Sequence, residues 1–270
     1  MVELARTWPL MEQPLDVDSH PEWTWLYRLA GVATFTSAAL IIVAGAVFVR
    51  MPPPGFEPTA SNTREWFAFF QAHRLVGLFN LDLVMVMDNV LAIPVFLALY
   101  VALRRISLSW TTIAVAAALV GTAGYFAINP AFSMLALSDH YLAAGSEADR
   151  AAALAAGQTV LAIYKGTGFN LYIVLVSAAG VILGALMLRS PRFGKVAGSC
   201  GIAANVLNPG MFLPLVGLYI GFIALLPLLV WYVLVGRAFL RLAQTRPTAT
   251  GASDGLTREP VAGEPMQQVR

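Results

Sequence analysis

Asp88 and Asn89 stand inside an almost unbroken apolar run, Leu75 to Leu103, whose only other charged residue is Asp82. An ionised side chain at bilayer depth costs about 2.5 to 3.5 kcal/mol on insertion scales, so it faces protein or water and often marks a working site. Three roles suit such an acid. It can hydrogen-bond across helices for packing alone, form a proton or ligand site, or act as a general acid.

Counting residues separates the two acids. With Arg104 at the inner interface, Asp88 is 16 residues away and Asp82 is 22 away, or roughly 24 Å and 33 Å along a continuous helix. Against a hydrocarbon core of about 30 Å, Asp82 is expected at the outer boundary, within reach of water, and Asp88 in the outer third. Six steps of about 100° put them about 120° apart, whereas Asp82 and Asn89 share a face. They are therefore not expected to form a matched carboxylate pair. Pro94 has no N–H and leaves the Val90 carbonyl without its helix partner, which predicts a polar notch around Asp88.

Possible partners on the same side are Asn129, Asp139, His140, Tyr141 and Lys165. Lys165, beside Gly166 and Gly168 at the start of an apolar run, is the expected counter-ion of Asp88. His140 beside Asp139 resembles half a metal site, but the other histidines are only His20 and His73, so no metal is expected. No GxSxG, HExxH, P-loop or GxGxxG pattern is present, and no cofactor is expected.

These residues need spanning elements to hold them. Hydrophobic residues make up 58% of the 270 and charged residues 12%, with a mean hydropathy of +0.71, which indicates an integral membrane protein. The lipid bilayer is then the first partner. A net charge of +2 dispersed between apolar runs is no nucleic-acid footprint. A single cysteine, Cys200, excludes a disulfide within the chain.

A spanning helix needs about 20 apolar residues. Leu29–Val49 qualifies and is ended by Met51-Pro52-Pro53-Pro54-Gly55. The next spans are Leu78–Val101, Trp110–Ile128 and Phe169–Leu188. A fifth starts at Val196 and is interrupted at Asn208-Pro209-Gly210, read as a turn in preference to a broken span, and a sixth covers Leu218–Val235. Thr63–Phe70 carries Trp66, Phe67, Phe69 and Phe70 and reads as an interfacial helix. Ala131–Tyr164 should form two short helices, with Ser146 and Asp149 at capping-box spacing between them. Gly31, Gly45, Gly180, Gly184, Gly198 and Gly201 suit close helix approach.

The expectation is an all-α polytopic bundle of about six spans at residues 27–243, under a cap of short extracytoplasmic helices. An N-terminal tail over 1–26 and a disordered tail over 244–270 flank it. Six spans place the 17 Lys and Arg residues on one side, except Arg50, Arg64, Arg74, Arg150 and Lys165. The positive-inside rule makes that side, with both termini, cytoplasmic. A seventh span at Ala151–Tyr164 would export Arg189, Arg192 and Lys195 and is disfavoured.

Several stretches look familiar: Pro94-Val-Phe-Leu-Ala-Leu-Tyr100, Asn129-Pro-Ala-Phe-Ser-Met-Leu-Ala-Leu-Ser138, Ala155-Ala-Gly-Gln158, Gly166-Thr-Gly-Phe169 and Phe193-Gly-Lys195. Over roughly Tyr27 to Leu242 the chain resembles a bacterial multi-spanning membrane family, domain-of-unknown-function family 4386. The resemblance implies a helical protein of the bacterial inner membrane and brings no activity or site residues.

The functional expectation is a membrane protein that binds or moves a small or lipid-like molecule, or protons, at the notch around Asp88. The absence of an evident inverted repeat weighs against a transporter. One alternative is a membrane-embedded enzyme with Asp88 as general acid on an isoprenoid or lipid-like substrate. The other is a structural subunit of a membrane complex, which would have no enclosed pocket.

Overall fold

The computed structural model describes residues 21–213 and 215–244, and the expected tails, with His20, fall almost wholly outside them. Among the described residues there are ten α-helices and no strand: α1 (Pro21–Arg50), α2 (Thr63–Ala72), α3 (Arg74–Leu78), α4 (Val84–Leu103), α5 (Leu108–Ile128), α6 (Ala131–Ala143), α7 (Glu147–Tyr164), α8 (Thr167–Leu188), α9 (Gly194–Leu207) and α10 (Gly217–Leu242). The described part of α1 starts at Pro21, ahead of the expected domain start.

Among the described residues, five stretches are long and apolar enough to cross a membrane: Trp23–Arg50, Arg74–Leu103, Leu108–Ala143, Glu147–Leu188 and Tyr219–Leu242. The expected fifth span falls short of that test. Its helix α9 has 14 residues, about 21 Å against a core of about 30 Å. Asn208-Pro209-Gly210 is not the turn; it opens a 3-10 helix, Asn208–Phe212, that prolongs α9 by about 10 Å.

Six helices pack in a closed ring, in the order α1, α4, α5, α8, α9, α10 and back to α1. One end of this ring is solid. Leu26 and Ala30 of α1, Leu99 and Leu103 of α4, Ala118 of α5, Met187 of α8, Ala197 of α9 and Phe239 of α10 form one core there. Without a hydrophobic driving force in lipid, such contacts depend on close packing by small residues. Gly184 and Gly198 show how close: a Cβ on Gly198 would lie 2.8 Å from the Gly184 carbonyl oxygen, and one on Gly184 3.0 Å from that of Gly198.

Over the other end lies a cap of α2, α6 and α7, packed on one another. Trp66, Phe67 and Phe70, expected at an interface, are fully buried with Leu78, Leu81, Met134 and Leu161. The amphipathic face of α2 is covered by α6 and α7, so its aromatics make a core of their own. Gln71 Nε2 donates to Ser138 Oγ at 2.6 Å, and Ser138 donates to the Phe67 carbonyl at 3.1 Å. Ser146 caps α7 as the spacing predicts, accepting from Asp149 N at 3.1 Å. Since α7 packs on α2 and α6, it belongs to this cap.

Candidate functional site

Under the cap the ring is hollow. A cavity of about 330 Å³ lies between the C-terminal half of α1, the N-terminal parts of α4, α8 and α10, and the loop around Glu57. Its size falls within the range of small-molecule sites. Asp82, Asp88, Glu57 and Lys165 all line it, among walls that include Phe48, Phe79, Phe169 and Phe222.

The two acids share this cavity, contrary to the expectation from helix rotation. That expectation requires one continuous helix, and the chain between α3 and α4 is not one. Phe79–Leu83 forms a π-type bulge in which Leu81 has φ −99°, ψ 41° and Asp82 has φ 66°, ψ 20°. Aspartate tolerates the left-handed region better than most residues, and non-helical insertions of this kind frequently mark functional sites. Asn80 secures the bulge by donating from Nδ2 to the Met51 carbonyl at 2.8 Å, just past the end of α1. The bulge turns Asp82 from the outer boundary into the cavity.

Each acid is met by a tyrosine that the sequence reading did not single out. Tyr232 of α10 reaches Asp88 with its hydroxyl 3.0 and 3.1 Å from the two carboxyl oxygens. Tyr164, at the end of α7, donates to Asp82. Tyr125 lies within electrostatic reach of Asp82, and Tyr172 within reach of both acids. All four tyrosines are buried. A signal for them was present, because a tyrosine in an apolar span must find a partner for its hydroxyl.

Asn89 does structural work beside the cavity. It donates to the Tyr172 hydroxyl at 3.0 Å and to the Met85 carbonyl at 2.9 Å, and accepts from Thr122 at 3.2 Å. Asn129 accepts from Ala131 N at 3.2 Å, starting α6, and donates to the Tyr125 hydroxyl at 3.2 Å. It touches the site only through that phenol.

Lys165 is not the counter-ion of Asp88. Its ammonium lies 3.7 Å from Glu57, within electrostatic reach of Asp82, because it ends α7 at the rim of the cavity. His140 is exposed on α6, and Tyr141 packs on Phe67 with ring centroids 5.5 Å apart. Both belong to the cap, as does Asp139, which pairs with Arg74. The proline-freed carbonyl is also elsewhere: Val90 is two residues from Asp88, about 200° around α4, and is 51% exposed where Asp88 is 8%. The polar notch is built by the bulge and the tyrosines, not by Pro94.

Gly45 departs from the close-approach pattern. A Cβ there, or on Gly221, would meet nothing within 4 Å, and both residues line the cavity. These glycines leave space instead of closing it.

Comparison with known protein families, with curated proteins and with solved structures finds no match to this chain.

Proposed function

We propose that this chain is a multi-pass protein of the bacterial cytoplasmic membrane that binds a small or lipid-like molecule in the cavity beneath its cap. The observation that carries the reading is that cavity, lined by two carboxylates that are each bonded by a tyrosine distant in sequence. A protein kept only for assembly would fill the space. In this reading α9 with its 3-10 extension supplies a sixth crossing, both termini are cytoplasmic, and the cap is extracytoplasmic. Labelling of a Ser107→Cys variant from outside would overturn that orientation.

The test of the site uses octyl-chain probes of one length, octylamine, octanol and octanoate, on the purified protein in lipid nanodiscs. At least one should show saturable binding beyond that of empty nanodiscs. Gly45→Phe, which places a ring in open space, should abolish it while leaving the thermal midpoint in place. If no saturable component responds to Gly45→Phe, the cavity is not a ligand site.

A further inference from the structure

Resting on that reading, the charge and walls of the cavity narrow the class of its occupant. Three carboxylates line it, Glu57, Asp82 and Asp88, and one basic side chain, Lys165. That lysine is already committed. Its ammonium sits 3.7 Å from Glu57, 5.6 Å from the ring centroid of Phe169 and 5.8 Å from that of Tyr164. The chain thus lodges an ammonium of its own between acids and aromatic faces, an arrangement that attracts cations generally.

Asp88, deeper in the ring, has no such cation among the described residues. Its direct hydrogen bond is from the neutral Tyr232 hydroxyl. The Ser37 hydroxyl of α1 faces the same two groups from behind the cavity wall, 1% exposed. A carboxylate that lines a cavity and is met by hydroxyls alone favours an N–H donor carrying positive charge, since buried acids are otherwise paired.

We propose that the cavity binds a lipophilic monocationic amine, with its ammonium donating to Asp88 and its apolar body against Phe48, Phe79 and Phe222. An anion would face three carboxylates with only Lys165 in its favour. A neutral amphiphile would leave Asp88 without a cation.

The same three probes test this, read now for charge preference. Octylamine, cationic at neutral pH, should bind in the saturable mode at least about tenfold more tightly than octanol, the difference expected for one charge-assisted hydrogen bond. Octanoate should bind least. Asp88→Asn should erase the preference for octylamine. Equal binding of octylamine and octanol, or octylamine binding indifferent to Asp88→Asn, would overturn the assignment of charge. In either case sensitivity to Gly45→Phe would still mark the cavity as a site for neutral molecules, so the two readings fail separately.

Discussion

The two ends of the helix ring are built from the same six helices and differ in what fills them. At the end bearing Arg104 and Arg105 the interior is alanine, valine, leucine and phenylalanine in mutual contact. At the capped end it is a cavity ringed by acids and tyrosines. The glycines mark the difference most sharply. Gly184 and Gly198 bring two backbones together, whereas Gly45 and Gly221 face open space. Residue type alone does not tell these uses apart; the neighbour across the interface does.

The largest effects should come from forcing the solid end apart. Gly198→Leu drives a side chain into the backbone of α8, and overpacking of this kind costs about 1–3 kcal/mol or more. Gly221→Leu, at the hollow end, should change stability by no more than about 0.5 kcal/mol. Thermal midpoints of both variants in the same nanodiscs compare them directly, and equal losses would mean that the cavity closes up in the membrane.

Within the hollow end, the two acids provide the next test. Tyr232→Phe removes the direct hydrogen-bond partner of Asp88 and should cost about 1–3 kcal/mol, the penalty for stranding a buried polar group. Tyr164→Phe should cost less, because Asp82 is only partly buried where Asp88 is buried. A reversed order in denaturant titrations would shift the centre of the site to Asp82.

The bulge itself predicts a smaller effect. With φ at 66°, Asp82→Val should cost about 1–2 kcal/mol of backbone strain beyond the lost contacts, while Asp82→Gly should be spared that strain. If both variants unfold at the same denaturant concentration, the left-handed turn carries no strain. The smallest effect belongs to the cap surface. Arg74→Ala breaks a pair whose side chains are 56% and 42% exposed, worth about 0–1 kcal/mol, and should leave probe binding unchanged.

Much of the bundle was readable in advance because its signals are local. Long apolar runs, the Met51 to Gly55 break, the Arg104-Arg105 end and the Ser146 cap each follow from a few adjacent residues. Asp82 also meets protein, through Tyr164, so a need for a protein partner is not peculiar to Asp88. The partners of Asp88 were not found, since Tyr232 lies 144 residues away and nothing local announces which tyrosine turns inward. Lys165 was placed near the site but given the wrong acid. His140 and Tyr141, expected as partners because they lie on the same side of the membrane, sit in the cap.

By itself the sequence determined that the chain is helical and membrane-embedded, since segment length and hydrophobicity decide what can cross a bilayer. It also marked where most helices break, since proline and charge act locally. Only the tertiary structure decided which faces meet. The Asn80–Met51 and Tyr164–Asp82 bonds hold open a bulge that helical periodicity cannot foresee. That bulge changes the rotation of everything before α4, and so brings two acids that a straight helix would part into one cavity.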